Sequence, residues 1–357
     1  MIYKSEHGGD IYSISNFLGF DPSEILDFSS NVLPFDLFKS LNLEISELTT
    51  NFRRLPEPHS QSLIKHISSK YNLPLDSIIV SSGTTEILDN ITRIYRNKRV
   101  CILGPTYKDY EKFSVLNNLK VEHSLATEGN NFIYDLNNIE LEKNFYDIII
   151  LCNPNNPTGV LYNHKKLVKL IERLKNTLFV IDESYMPFLF NWKDYTLLNN
   201  DLDNTIVLQS FSKIYGAPGL RLGWAYSKNK KLIEKLKKHQ SIWSVNSMAQ
   251  FVGEKLLYIN TDSYVKVLNS YKDDVSNKLS SLDFLKFYPS VTNFIMFKYV
   301  HNNPMDLYKF LLKNRVLIRN LYNIEGLDEK YFRIAINLEE NNNYLIDLLN
   351  KFKEYGM

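Results

Sequence analysis

Between about residues 60 and 240 short, almost wholly apolar runs alternate with segments of helical period, and this alternation leaves few folds open. SLIKHISSKY has helical spacing, SIIVSS is a short β-branched run, and TTEILDNITRIY is helical again. Strand-like RVCIL and helical YKDYEKFSVL follow. YDIIILC, LFVID, TIVLQ and LRLGWAY read as further strands, with helical KKLVKLIERLK between the first two. Strands without a polar face must be covered on both sides, and parallel neighbours need crossover connections. The expected fold is therefore α/β, a mostly parallel sheet covered by helices.

After residue 245 the pattern changes. A long helical stretch leads into strand-like NFIMFKYV, helical MDLYKFLLKN, strand-like VLIRN and YFRIAI, and a last helix. This predicts a smaller α+β domain over residues 246–357, joined in space by an amino-terminal arm over 1–45, with a large domain over 46–245. Polar spacers around Asn137, Asn199 and Asn342 are expected to be surface loops. SKNKKLIEKLKKHQ is expected to be a solvated amphipathic helix, because its lysines alternate with Leu232, Ile233 and Leu236.

Bulk properties exclude several classes. The 357 residues carry 42 Lys and Arg against 40 Asp and Glu, so no strong field draws nucleic acid. Cys101 and Cys152 both sit in apolar runs with no histidine at a ligand spacing, which predicts reduced core thiols and no metal. The opening MIYKSEHGGD lacks the apolar stretch of a signal peptide, and no run approaches the roughly 18 apolar residues of a membrane helix. A cytoplasmic chain without membrane or nucleic-acid partners is expected.

Five unusual clusters follow directly on expected strands: Ser82-Gly83-Thr84-Thr85, Pro105-Thr106-Tyr107, Asn153 to Gly159, Asp182 to Tyr185, and Ser210 to Lys213. Ligands of open parallel sheets bind at the carboxyl ends of strands, so the five describe one site. In SFSKIYGAPGLRLGW a lysine stands among small hydroxyl residues before a Gly-rich turn and an arginine. That suits a buried amine forming a Schiff base beside a phosphate, because lysine sheds its proton on burial far more readily than arginine. Alone, Lys213 would read as a surface residue. Asp182 ends an apolar strand, where it suits a carboxylate keeping a pyridine nitrogen protonated, although an Asp there can equally cap a turn. Tyr185 and Asn156 are candidates to hydrogen-bond a ring hydroxyl. Gly83-Thr84-Thr85 opens a helix whose free N–H groups favour an anion, as any helix N-cap does. Ser210 and Arg221 add donors for a phosphate, and Tyr107 is a candidate to lie over the ring.

The ordered set NPNNPTG, DESY and SFSKIYGAPGLRLG resembles the fold-type-I aminotransferase superfamily of pyridoxal 5′-phosphate enzymes, over nearly the whole chain. The resemblance implies a large cofactor domain, a smaller domain, and a homodimer with active sites near the interface. It makes Lys213 the Schiff-base lysine, Asp182 the partner of the pyridine nitrogen, Asn156 and Tyr185 the partners of the ring hydroxyl, and Tyr107 the stacking residue. Gly83, Thr84, Thr85, Ser210 and Arg221 would surround the phosphate.

Two branches are similar, the histidinol-phosphate aminotransferases and the threonine-phosphate decarboxylases. HGGDI with EILDFSSNVLP, SIWSVNSMAQ, and VLIRNLYNIEGLDEKYFRIAI resemble the second. By that resemblance His7, Asn31, Arg319 and Arg333 line the substrate side. Read singly, His7 would be a solvated histidine, Asn31 a turn residue and Arg319 a surface ion pair. Arg333, inside apolar YFRIAI, calls for an anionic partner. Two departures stand out. Both branches carry a Tyr-Pro-Asp-Pro stretch whose tyrosine reaches the partner subunit's cofactor phosphate, and here it reads Leu55-Pro56-Glu57-Pro58. The Asn-Pro-x-Gly expected after Asn31 reads Val32-Leu33-Pro34-Phe35.

The sequence thus points first to a lyase that removes the α-carboxylate from O-phosphoserine or O-phosphothreonine. Second comes an aminotransferase of the histidinol-phosphate type. A non-catalytic sensor on this fold ranks last, since such regulators add a DNA-binding module that finds no room before the cofactor domain.

Overall fold

The computed structural model describes residues 7–136 and 145–355. The spacer expected at Asn137 and the opening MIYKSE lie outside them. In chain order the first strands are β1 (Leu26–Asp27), β2 (Ile78–Ser81), β3 (Arg99–Gly104), β4 (Lys120–Leu125) and β5 (Ile148–Cys152). β6 (Leu178–Asp182), β7 (Thr205–Ser210) and β8 (Gly223–Tyr226) follow. Seven of these form one sheet in the order β2-β8-β7-β6-β5-β3-β4. Only β8 runs against its neighbours, pairing antiparallel with both β2 and β7. The parallel pairs β3–β4, β3–β5, β5–β6 and β6–β7 make up the rest.

The central strands IIILC and LFVID are buried at every position, as their lack of a polar face requires; each Ile, Leu, Val or Phe so buried contributes about 1.5–3 kcal/mol. The connecting helices bury one stripe. His164–Arg173 presents Leu167, Leu170 and Ile171 to the core and is capped by Asn163, whose side chain accepts from Lys166 N at 3.0 Å. Lys230–His239 buries Leu232, Ile233 and Leu236 and turns its lysines outward.

The carboxyl-terminal region adds β9 (Leu285–Phe287), β10 (Phe294–Tyr299), β11 (Val316–Leu317), β12 (Arg319–Asn320) and β13 (Tyr331–Ala335). β12-β13-β10-β9 form an antiparallel sheet. The amino-terminal arm docks beside it: β1 and β11 form a separate parallel pair, Leu26 with Val316 and Asp27 with Leu317, and Ala335 N of β13 donates to Phe28 O at 2.7 Å. A satellite core of Phe132, Tyr288, Met296, Leu321, Ile324 and Tyr331 lies between this sheet and the loop after β4. Glu128 ties it down, accepting from Lys286, Lys298, Tyr288 and Tyr331 at 2.7–2.9 Å.

Three expectations need correction. KVEHSL, which the pattern left unassigned, is strand β4. It is an edge strand bonded only to β3 and half exposed, so charged residues replace the apolar run. The helical stretch after residue 245 is two helices, Ser247–Leu256 and Asp262–Ser280. Asn342 is not in a surface loop: it is buried in the helix Glu339–Tyr355, where Oδ1 accepts from Asn337 N and Nδ2 donates to Asn337 O. Asn199 is exposed, as expected.

Candidate active site

The carboxyl ends of β2, β3, β5, β6 and β7 lie on one edge of the large sheet, and the loops that leave them converge on one cavity. All of the residues expected from the sequence line it: Gly83, Thr84, Thr85, Tyr107, Asn156, Asp182, Tyr185, Ser210, Lys213 and Arg221 from the large sheet, with His7, Asn31, Arg319 and Arg333 from the arm and the second sheet.

Lys213 sits in the short helix Phe211–Ile214 directly after β7. Its Nζ lies 5.7 Å from the centroid of the Tyr185 ring. Ser210 caps that helix, its hydroxyl accepting from Ser212 N at 3.2 Å. Asp182 is buried at the end of β6. Its Oδ1 accepts from Ser184 N at 2.9 Å, and its Oδ2 accepts from the phenol of Tyr110 at 2.8 Å. Burial, then the charge of Asp182, drives the Tyr110 phenol well above its ordinary pKa, so it remains a donor.

The anion cradle is built by close backbone approach. Gly83, with φ +82°, caps the helix Thr84–Ile94. A Cβ on Gly83 would stand 3.0 Å from Arg221 Nη2, so the guanidinium lies across the helix start. A Cβ on Gly223 would stand 2.6 Å from Thr84 N, so only glycine lets β8 pass this close. Free N–H groups, the positive end of the helix and a guanidinium meet there. With a lysine amine and a doubly bonded buried carboxylate on the same cavity, the donor set fits pyridoxal phosphate.

The residues from the arm and the second sheet differ from their single-residue readings. Asn31 is buried, and its Nδ2 donates to Tyr185 Oη at 3.4 Å. Arg319 is buried too, not a surface ion pair, and its Nη2 donates to Asn323 Oδ1 at 2.7 Å. His7 is partly exposed and stands 3.5 Å from Asp109. Arg333 is buried, yet its partners are neutral: Nη1 donates to Asn156 Oδ1, Nη2 donates to Ser29 O at 2.6 Å, and Nε has no acceptor. Among the described residues no carboxylate hydrogen-bonds Arg333; Asp27 acts on it only through its charge. Arg319 and Arg333 face each other directly across β12 and β13. Burial and then the charge of Arg333 pull Arg319 down to about 10, and burial lowers Arg333 as well. Like charges placed opposite each other in a sheet are destabilising, and buried cations more so; an anion between them relieves both.

Four residues at or beside the site were not singled out from sequence. Tyr110 follows Tyr107 by three, and Asp109 accepts from Tyr107 Oη at 2.7 Å. Leu321 and Ile324 supply an apolar wall. Leu55 lies 74% exposed and does not line the cavity. Among the described residues no helix is long and apolar enough to cross a membrane, and no group of His, Cys, Asp or Glu is placed to hold a metal. Cys101 and Cys152 are buried free thiols.

Comparisons agree with this geometry. The chain is 33% identical over 354 residues to the adenosylcobalamin biosynthesis bifunctional protein CobDQ of Leptospira interrogans, covering 96% of this chain but only 40% of that protein. It is 26% identical to the threonine-phosphate decarboxylase of Salmonella typhimurium, over 98% of this chain and 96% of the relative. The crystal structure of the histidinol-phosphate aminotransferase from Clostridium acetobutylicum superposes with a TM-score of 0.85 at 25% identity, over 92% of this chain and 99% of that one. The model of the family "Aminotransferase class I and II" matches residues 23–349, and the chain belongs to that family of pyridoxal-phosphate-dependent enzymes.

Proposed function

We propose that the chain removes the α-carboxylate of O-phosphoserine or O-phosphothreonine, releasing carbon dioxide and an amino-alcohol phosphate. The observation that carries this reading is the buried pair Arg319 and Arg333, opposed across two strands with neutral partners around Arg333. Such a pair is suited to an anion that accepts several hydrogen bonds, as a phosphate monoester does. The likeness to the Salmonella threonine-phosphate decarboxylase over almost the full length of both chains supports it.

Pyridoxal phosphate, when bound, supplies an electron-accepting ring that takes the electron pair left when a bond at the substrate's α-carbon breaks. The chain supplies the rest. Lys213 would hold the cofactor covalently through its amine, and the same amine would be the group placed to carry a proton at the substrate's α-carbon. Asp182, fixed by Tyr110 and Ser184, holds a proton on the ring nitrogen. Asn156 and Tyr185 would hydrogen-bond the ring hydroxyl, Tyr107 would lie against the ring, and Thr84, Thr85, Ser210 and Arg221 would hold the cofactor phosphate at Gly83. His7, Asn31, Arg319 and Arg333 orient the substrate. Residues 46–245 are read as the cofactor domain, with 246–357 and the arm 1–45 forming the smaller unit. The family is typically dimeric, and we read this chain as a cytoplasmic homodimer acting on a small molecule, without nucleic-acid or membrane partners.

Transamination of histidinol phosphate or a related amine is the second reading, favoured by the structural match to the Clostridium enzyme. The test supplies O-phosphoserine, O-phosphothreonine and histidinol phosphate separately and follows both carbon dioxide release and 2-oxoglutarate-dependent amino transfer. Carbon dioxide from either phosphorylated amino acid is the expected result. Amino transfer from histidinol phosphate without carbon dioxide from the others reverses the assignment.

A further inference from the structure

Asp109 opens the helix Asp109–Leu116 that follows β3, and 7% of its surface reaches solvent. Its two oxygens meet different neighbours. Oδ2 accepts the phenol proton of Tyr107 at 2.7 Å. Oδ1 is shut off from solvent and accepts no hydrogen bond from the described residues, while His7 Nε2 stands 3.5 Å away. The rings of His7 and Tyr107 lie 6.1 Å apart, centroid to centroid. One carboxylate therefore addresses two side chains that line the cavity, one from the amino-terminal arm and one from the loop after β3. A buried acceptor left without a donor costs roughly 1–3 kcal/mol, and more when charged. Defects of this kind are concentrated where function uses them.

We infer that Asp109 is a positioning residue for the substrate. It sets His7 and Tyr107 as a pair at the cavity wall, and its contact with His7 shortens to a hydrogen bond when an anion engages the imidazole. That this anion is the substrate phosphate rests on the function proposed above. An imidazolium held between a carboxylate and a phosphate makes charge-assisted bonds to both, and each bond orients the ring for the other. Without Asp109 the imidazole loses the carboxylate that orients it from the cavity wall, and binding suffers more than the steps that follow it.

The test is a double-mutant cycle on the holoenzyme with Asp109→Asn, His7→Ala and both together. Asp109→Asn keeps an acceptor for Tyr107 and removes the charge facing His7. The readouts are KM and kcat for the phosphorylated amino acid that is turned over, and the Kd of phosphoethanolamine followed through the visible absorbance of the cofactor. In Asp109→Asn, KM and Kd should rise on the order of tenfold, the size of one charge-assisted bond, with kcat changing by less than about threefold. The double variant should be no worse than the poorer single variant, because the two residues act as one unit. Additive losses, or KM and Kd within about twofold of wild type in Asp109→Asn, overturn the inference. Asp109→Ala also frees Tyr107 and should lower cofactor affinity, which Asn should not; if the Ala variant fails to fold, the cycle on Asn decides alone. A wild-type enzyme that turns over no phosphorylated amino acid yet binds phosphoethanolamine overturns the proposed function, and the Kd cycle still reads the coupling. Binding of neither phosphoethanolamine nor inorganic phosphate overturns both.

Discussion

Tyr110 donates its phenol proton to Oδ2 of Asp182 at 2.8 Å, joining the helix after β3 to the end of β6 beneath the cavity. With Ser184 N on Oδ1, this bond fixes the rotation of the carboxylate proposed to face the ring nitrogen. Tyr110→Phe removes only the hydroxyl. It should destabilise the fold by about 1 kcal/mol, the usual net worth of such a bond. It should slow turnover by more than that energy implies, because a rotating carboxylate protonates the ring less reliably. Thermal unfolding and kcat of the holoenzyme check this; a kcat equal to wild type would mean that Ser184 N alone sets Asp182.

Gly223 stands where β8 crosses the start of the helix Thr84–Ile94. In Gly223→Ala the new methyl would meet backbone, Thr84 N at 2.6 Å and Gly83 C at 2.9 Å, so the helix start must move. Overpacking of this kind costs typically 1–3 kcal/mol. Because the displaced N–H groups are those proposed to hold the cofactor phosphate, the affinity for pyridoxal phosphate should fall together with the melting temperature. Lowered stability with unchanged cofactor affinity would place the phosphate elsewhere.

Glu183 follows Asp182 and is wholly buried, with Thr196 Oγ1, Leu197 N and Gln209 Nε2 donating to it at 2.5, 2.8 and 2.9 Å. Burial pushes its pKa from the ordinary carboxylate range up to about 8, against the pull of those donors. The sign follows from proton counting. Between the unfolded value and about 8 the folded state binds more protons than the unfolded state, so this group's contribution falls as pH rises through that window. Glu183→Gln cannot ionise and should flatten that slope. Its plateau should lie lower, since an amide cannot accept from all three donors. Melting temperatures of both proteins from pH 5 to 9 check the sign, and parallel curves would exclude Glu183 as the source.

The large sheet was legible because its strands are buried on both faces, so Ile148 to Leu151 and Phe179 to Ile181 left a continuous apolar signal. β4 escaped because an edge strand carrying Lys120, Glu122 and His123 does not need one. The site was legible for a related reason. Motifs at strand ends stay contiguous in sequence, so Asp182 to Tyr185 and Ser210 to Lys213 could be read as units. The contacts between motifs were not legible. Nothing in the spacing of Arg333 and Asn156 foretells that they meet, and Tyr110 looks like one of 23 tyrosines until its hydroxyl is seen on Asp182. Asn342 is the opposite case: its polar run reads as solvated, whereas its amide satisfies both backbone groups of Asn337.

Two substrate anions compete for the arginines, the α-carboxylate and the ester phosphate. Decarboxylation destroys the charge of the α-carboxylate, so gripping that group tightly in the ground state would raise the barrier. The ester phosphate passes through the reaction unchanged, and firm binding of it orients the substrate without opposing bond cleavage. Arg319 and Arg333, opposed across β12 and β13, suit the group with more acceptor oxygens, and His7 lines the same cavity. Arg333 Nη1 already donates to Asn156 Oδ1, which keeps one edge of the guanidinium on the cofactor side. The rival placement sets Arg333 on the α-carboxylate. Phosphoethanolamine separates the two, because it keeps the phosphate and lacks the carboxylate. Arg333→Ala should weaken O-phosphoserine and phosphoethanolamine alike, each by on the order of tenfold or more, the worth of a charge-assisted pair. Arg319→Ala should do the same, and its loss should also relieve the repulsion that burdens Arg333. If Arg333→Ala weakens only O-phosphoserine, the arginine holds the carboxylate, the scissile bond is no longer left loosely paired, and transamination becomes the better account of the site.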